Sequence, residues 1–130
     1  MKFDWSEYLN LANELIKIDI DEAKQRSSIS RAYYAAFCMA RNYLRDNLGD
    51  PKLLKRVSDI NFHQYVAEEF KEIDRKNKKM TEIGRDLILL RTLRNKADYD
   101  DKVFSLHKDT QQSLLLARNI IDNINKLIKE

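Results

Sequence analysis

Glycine and proline are nearly absent from this chain. Only two glycines and one proline occur in 130 residues, whereas a many-stranded sheet needs such residues at its turns. Leu, Lys, Glu, Arg and Ala, which favour helix, are plentiful. The sequence therefore predicts an all-α fold whose connections are few and short.

Length and hydrophobic periodicity predict one bundle of four or five helices. A chain of 130 residues is long enough for one domain with a sizeable core but short for two, so residues 1–130 are assigned to a single domain. Asp4 and Asn61 each stand three residues before Glu or Gln, the spacing of a capping box, and Asp19 or Asp21 offers a further cap. The predicted helices run from Trp5 to Ile18, Glu22 to Asn47, Asn61 to Lys76, Met80 to Tyr99 and Leu106 to Ile128.

The second predicted helix carries two stripes of different character. One is an apolar seam whose alanines permit close approach of another helix; its members are Ile29, Tyr33, Ala36, Phe37, Ala40 and Leu44. The other mixes polar, aromatic and charged side chains and is predicted to form an interface; its members are Ser27, Arg31, Tyr34, Cys38, Arg41 and Arg45.

Positive charge is concentrated in the second half of the chain. The formal net charge is +3, but residues 71–96 hold nine Lys and Arg against four acidic residues. Such a surplus suits a phosphate-bearing partner such as nucleic acid, although solvated helix faces are also often basic.

Several other classes of protein and site are not favoured. Cys38 is the single cysteine, and the start MKFDWSEYLN lacks the pattern of a signal peptide, so a cytoplasmic location is predicted. The longest apolar run, Ala32 to Ala40, falls far short of the roughly 20 residues of a membrane span, and no membrane association is expected. One Cys and two distant His form no recognisable metal set, and no glycine-rich phosphate loop occurs, so neither a metal nor a cofactor is predicted.

The stretch RTLRNKADYDD, residues Arg91 to Asp101, ends the fourth predicted helix with an unusual cluster of charges. Arg91, Arg94 and Asp98 are spaced by three and four residues and therefore share one helix face. Arg94 lies in the gap of the leucine seam, where its stem can cover apolar surface while its guanidinium binds a carboxylate or a phosphate. Two interpretations stay open: an ordinary helical ion pair with Asp98, or a functional site.

Two motifs in this order resemble the HEPN superfamily. The segment SSISRAYYAAFCMARNYL (Ser27 to Leu44), the histidine of NFHQYVAEEF and the segment LRTLRNKADYDD are similar to its small stand-alone proteins, which carry S-R-A-Y-Y-A-A-F and R-x-x-A-D-Y. The resemblance extends from about Ala23 to Asp101.

The resemblance implies a helical bundle that forms a homodimer through its long central helices. It also implies a role in prokaryotic defence or toxin-antitoxin systems, often beside a small nucleotidyltransferase partner. Many family members are metal-independent endoribonucleases in which an arginine, its polar neighbour and a following histidine meet their copies across the dimer. Attack of a 2′-hydroxyl on its own phosphodiester needs proton transfer and stabilisation of the charged phosphorane, which His and Arg supply.

Carried over to this chain, the family arginine corresponds to Arg94 and the polar neighbour to Asn95. Five residues after Arg94, where the histidine would stand, this chain has Tyr99, preceded by Asp98. A free tyrosine has a pKa near 10 and is a poor general base at neutral pH. Asp98 could accept a proton, but a neighbouring Arg94 favours its ionised form. The resemblance thus implies Arg94, Asn95, Asp98 and Tyr99 as the catalytic group, with one departure from the family pattern.

Other residues are candidates for supporting roles. The two copies of the catalytic group are expected to face a shared groove in the dimer. Arg91 and Lys96 are expected to border this groove and to bind RNA or phosphate. Arg31 and Tyr34 of the second helix are expected to add to the same binding surface. His63 is a further candidate for the proton acceptor, although histidines at the start of a helix are usually surface residues.

Two functional hypotheses of different class follow, with small-ligand binding in the bundle as a third alternative. The first is an RNA- or nucleotide-directed protein, a ribonuclease or a degenerate relative of one. The second is a non-catalytic dimeric module that binds a partner protein, with the motif as a structural tie. Burial of Arg94 against Asp98 within one monomer would favour the second, and a guanidinium facing a charged cleft between two chains would favour the first.

Overall fold

Helices make up nearly all of the computed structural model, which describes residues 2–55 and 59–130. In chain order they are α1 (Glu7–Leu15), α2 (Glu22–Asn42, continued by a π-helical turn, Tyr43–Asn47), α3 (Pro51–Lys55), α4 (Phe62–Glu72), α5 (Lys78–Tyr99) and α6 (Leu106–Lys129). No strand occurs in these two ranges. The predicted all-α bundle is confirmed, with the short helix α3 added to the five that were expected.

Short polar side chains begin three of the long helices. Asp21 accepts a hydrogen bond of 2.8 Å from the backbone N–H of Lys24, and Asn61 accepts one of 3.3 Å from Gln64. Asn77 does the same for α5 at 3.2 Å, so this helix begins two residues before the predicted Met80. Each cap satisfies a backbone donor that the first helical turn leaves unpaired.

The predicted limits of two helices were too wide. Asp4 is not the cap of α1, because its carboxylate binds the backbone N–H and the hydroxyl of Ser6 at 3.0 and 2.6 Å, which makes a turn before the helix. The helix ends at Leu15, before Asp19 takes a left-handed backbone conformation (φ 49°). Likewise α4 ends at Glu72, and turns occupy the segment up to Lys76.

Helix α2 is the centre of the bundle and packs against α1, α4, α5 and α6. Its predicted apolar seam is confirmed, since every member is at most 6% exposed. Helices α4 and α5 approach closely at Gly84, where an added Cβ would lie 2.8 Å from the backbone oxygen of Ala67. This contact sets how the two helices that carry the candidate site lie against each other.

Arg26 of α2 holds the end of α5 in place. Its guanidinium donates to the backbone oxygens of Ala97, Asp100 and Asp101 at 3.0, 2.6 and 3.2 Å. The last carbonyl oxygens of a helix accept no hydrogen bond from within that helix, and Arg26 donates to them from a neighbouring helix. The motif at the end of α5 is thereby tied to α2.

No helix in the described ranges is both long enough and apolar enough to cross a membrane.

Candidate functional site

Arg94 lies inside the protein, between α5 and the paired tyrosines of α2. It is 6% exposed, and its guanidinium carbon lies 4.8 Å from the ring centroid of Tyr33 and 5.5 Å from that of Tyr34. A guanidinium at this range is attracted by the ring face. Arg94 thus lies among the buried residues of α5, and two aromatic rings cover its guanidinium.

Asp98 is the nearest acid to Arg94, but the pair is loose. Nη1 of Arg94 lies 3.7 Å from Oδ2 of Asp98, beyond ordinary hydrogen-bond length. Oδ2 of Asp98 also accepts a bond of 3.4 Å from the hydroxyl of Ser30 on α2. Burial of Arg94 within one chain favours the interpretation of a structural tie, while the missing bidentate pair leaves part of the guanidinium without an acceptor.

His63, the second residue of α4, lies beside the same aromatic cluster. Its ring stacks on Phe37 with centroids 4.4 Å apart, and its Nδ1 is hydrogen-bonded to the hydroxyl of Tyr33 at 2.5 Å. Burial, with the charges of Arg94 and Arg91, lowers the pKa of His63 from 6.5 to about 4. The imidazole is therefore neutral at pH 7. Burial also raises the pKa of Tyr33, so its hydroxyl stays protonated.

A cleft of about 310 Å³ between α4 and α5 brings His63 together with two residues predicted from the motif, Arg91 and Asn95. Its other lining residues are the polar Gln64, Glu68 and Thr92 and the apolar Ala67, Leu87 and Ile88. Nε of Arg91 and Nε of Arg94 are buried and have no hydrogen-bond acceptor in the described part of the chain. Buried donors are nearly always paired in folded proteins. Arg91 lines the cleft, whereas Arg94 does not, and the carboxylate of Glu68 also belongs to the lining.

A second cleft, of about 480 Å³, lies on the other side of His63. Apolar side chains from α2, α3, α4 and the segment before α4 contribute to its lining, namely Phe37, Leu53, Ile60 and Phe62. Arg41 and Arg45 of α2 border it as well. An apolar cleft of this volume with a few polar groups has the character of a small-molecule or nucleobase site.

Arg31 and Tyr34 are brought into the same cluster. The guanidinium of Arg31 lies 5.4 Å from the ring centroid of Tyr34, whose ring also lies near Arg94, and 4.9 Å from that of Tyr8 on α1. Cys38 belongs to the predicted interface stripe on α2 but is 4% exposed and packed in the core, where burial raises the pKa of its thiol. The stripe is therefore interrupted at Cys38.

Two predicted residues lie apart from this cluster. Lys96 forms an ion pair with Asp109 of α6 at 3.0 Å. Tyr99 is 74% exposed, and its hydroxyl makes no hydrogen bond within residues 2–55 and 59–130. His63 is the residue whose place the sequence left open, because its contacts depend on how α4 packs on α2 and α5. The predicted cap at Asn61 was the local signal that placed His63 in the first turn of α4.

No group of three or more His, Cys, Asp or Glu side chains that could hold a metal ion occurs in the described ranges.

Comparison with known proteins gives a consistent assignment. The family model of the HEPN domain matches residues 6–127. An uncharacterised protein of Methanocaldococcus jannaschii is similar, with 26% identity over 134 aligned positions that cover 85% of this chain and 81% of that protein. No solved structure matches the chain.

Proposed function

The chain belongs to the HEPN domain family, and we propose that it is an RNA-directed member that binds phosphodiester in the cleft between α4 and α5. Proteins of this family are typically ribonucleases or belong to defence and toxin-antitoxin systems. We place this protein in such a prokaryotic system and assign it metal-independent cleavage of RNA.

The observation that carries the proposal is the pair of unpartnered guanidinium nitrogens. Nε of Arg91 and Nε of Arg94 are buried without an acceptor in the described ranges, and Arg91 lines the cleft. Leaving a buried donor unpaired costs about 1–3 kcal/mol, and Arg91, which lines the cleft, is the arginine whose guanidinium a ligand there can contact. Phosphate oxygens match the arginine fork in geometry and in charge.

The surroundings of the cleft fit a single nucleotide strand. Asn95 and Gln64 provide neutral donors and acceptors at its edge. The apolar cleft across His63 offers Phe37 and Phe62 for contact with a base, and base contacts of this kind tolerate many sequences. Single-stranded RNA is therefore the proposed ligand, since a paired duplex conceals its base faces.

We also propose that the protein is a homodimer. HEPN domains commonly dimerise, and α5 exposes Ile88 and Leu89, which are 42% and 50% accessible, close to Arg91. Exposed apolar side chains such as these are suited to the core of an interface. Sedimentation velocity at two protein concentrations tests this point independently of RNA.

A second function is favoured by one observation, the burial of Arg94 near Asp98 within a single chain. In that case the protein is a non-catalytic interaction module, for example for a nucleotidyltransferase, and Arg94 holds α5 against α2.

The deciding experiment measures binding of a fluorescent mixed-sequence single-stranded RNA by anisotropy, and its cleavage in EDTA, for the wild type, Arg91→Ala and Arg94→Ala. Arg85→Ala is the matched control, because Arg85 is exposed on the same helix and its loss changes the charge equally. We expect Arg91→Ala to weaken binding about tenfold or more, a loss of about 1.4 kcal/mol typical of a charged hydrogen bond. Arg85→Ala should change binding less than threefold. Equal losses in both variants would show only general charge attraction and would refute the assignment of the cleft.

Arg94→Ala separates the two functions. If the RNA function is correct, this variant, measured under conditions where it is folded, loses RNA binding or cleavage that the wild type has. If the motif is a structural tie, Arg94→Ala lowers the melting temperature or dissociates the dimer, and the wild type does not bind RNA.

A further inference from the structure

The family position for the catalytic histidine is occupied here by an unsuitable group. Tyr99 is 74% exposed and lies apart from the cluster around Arg94. A tyrosine with a pKa near 10 is almost fully protonated at neutral pH and cannot accept a proton efficiently. If this chain cleaves RNA, another side chain near the two arginines has to take the proton.

His63 is the imidazole that the fold brings to that place. It lines the same cleft as Arg91 and Asn95 although it belongs to α4 rather than α5. It also lines the apolar cleft on its other side, so it stands between the proposed sites of the phosphate and of the base. A group that touches both sites is placed to reach the ribose that joins them.

The orientation of the His63 ring is fixed on one edge and one face. Phe37 stacks on it at a centroid distance of 4.4 Å, and its Nδ1 is bonded to the hydroxyl of Tyr33 at 2.5 Å. The Tyr33 ring is in turn covered by the guanidinium of Arg94 at 4.8 Å. Either partner can donate in this bond, depending on the tautomer of the ring. A base at Nε2 requires the tautomer in which Nδ1 carries the proton and donates it to the Tyr33 oxygen. Nε2 then carries a free lone pair.

The surroundings of His63 hold its imidazole neutral in the free protein. Burial and the nearby arginines of α5 lower its pKa to about 4 in the free protein, which makes it neutral but weakly basic. The ionisable groups that face it are Tyr33 and Tyr34 from α2, Arg91 and Arg94 from α5, Arg41 and Arg45 across the apolar cleft, and Glu68 on its own helix. A bound phosphodiester adds negative charge among these cations, which raises the pKa of His63 towards neutrality when substrate is present.

We propose that His63 accepts the proton of the attacking 2′-hydroxyl, in place of the histidine that the α5 motif lacks; this inference rests on the RNA-directed function proposed above. The 2′-oxygen forms a bond to phosphorus while its proton passes to Nε2 of His63. The bond from phosphorus to the 5′-oxygen breaks, and this oxygen takes a proton from water. The products are a 2′,3′-cyclic phosphate and a 5′-hydroxyl, and His63 then returns its proton to solvent.

The test compares cleavage of the single-stranded RNA in EDTA by the wild type, His63→Gln and His107→Gln. His107 is the other histidine and lies exposed on α6, so it is the matched control. We expect His63→Gln to cleave about 10²- to 10⁴-fold more slowly, the usual contribution of a general base, with RNA affinity within threefold of the wild type. His107→Gln should cleave at the wild-type rate.

A second measurement distinguishes proton transfer from a purely structural role. His63→Ala opens the space of one imidazole ring between the two clefts, and added imidazole is expected to restore part of its cleavage in proportion to concentration. A loss of folding would not be reversed in this way. A substrate with a 2′-deoxy sugar at the cleaved position should bind but stay intact.

The possible results are distinct. Wild-type cleavage that persists in His63→Gln overturns the proposal, as does wild-type RNA binding without any cleavage between pH 5 and 9. In the first case the proposed function stands whole, and in the second its RNA binding stands while the assigned cleavage fails. If the wild type does not bind RNA at all, the proposed function fails, and the role of His63 fails with it.

Discussion

Acid should destabilise this protein through His63, and the effect can be measured without any RNA. The pKa of this residue is lowered from 6.5 to about 4 in the folded state, by burial first and then by Arg94 and Arg91. Between these two pH values the unfolded chain binds more protons than the folded one. The free energy of unfolding therefore falls as the pH falls from 6.5 towards 4, and the contribution of His63 is fully present only above pH 6.5.

The magnitude follows from the same values. A difference between 6.5 and about 4 corresponds to about 3.4 kcal/mol, at 1.36 kcal/mol for each pH unit. The His63 side chain is only partly buried, and screening by solvent reduces electrostatic terms at such positions. We therefore expect about half of that amount, about 2 kcal/mol, to be lost between pH 7 and pH 4.

Urea unfolding followed by circular dichroism, at intervals from pH 7.5 to pH 4, measures this loss. Carboxylates also titrate in this range, so the relevant quantity is the difference between the wild type and His63→Gln, in which their contributions cancel. The wild type should lose about 2 kcal/mol more than His63→Gln, whereas His107→Gln should follow the wild type. Parallel curves for the wild type and His63→Gln would refute the proposed environment of His63.

Three further substitutions test the packing that supports the site. Gly84→Ala should destabilise the protein by about 1–3 kcal/mol, because the new Cβ would meet Lys71 Cγ at 2.5 Å and the Ala67 oxygen at 2.8 Å; an unchanged urea midpoint would contradict the close approach of α4 and α5. Arg26→Ala should free three backbone oxygens at the end of α5 and cost about 1–3 kcal/mol, with faster amide exchange confined to the last turn of α5; uniform exchange along the helix would argue against the clamp. Asp21→Ala should remove the cap of α2 and lower the free energy of unfolding by about 1 kcal/mol, and an Asp21→Asn control should retain most of it.

Much of the fold follows from local patterns in the sequence. The apolar seam of α2 and the caps at Asp21 and Asn61 needed only residue types and spacings along one helix. Asp4 was assigned wrongly because its carboxylate binds Ser6, two residues away, and so makes a turn instead of a cap. An Asp side chain can accept a hydrogen bond from any of several nearby backbone N–H groups, and the sequence does not show which of these bonds forms.

The site was predictable only in the part that lies on one helix. The spacing of Arg91, Arg94 and Asp98 placed them on one face of α5, and the resemblance to the family identified Arg94 as the central residue. The contact between His63 and Tyr33 joins α4 to α2, and such contacts between distant segments depend on tertiary packing. The sequence likewise did not predict that Arg94 is buried under two tyrosine rings, because the spacing of the residues is also compatible with an exposed ion pair.

Distribution of the site over two helices makes it depend on their packing. Where an arginine and a histidine share one helix, their separation is set by the helix itself. Here Arg91 belongs to α5 and His63 to α4, so their relation is set where the two helices touch, at Gly84 and Ala67. Ala67 lies one helical turn after His63 and on the same face. A side chain at position 84 would therefore push His63 and Arg91 apart, and Gly84→Ala should weaken RNA cleavage more than its loss of stability alone predicts.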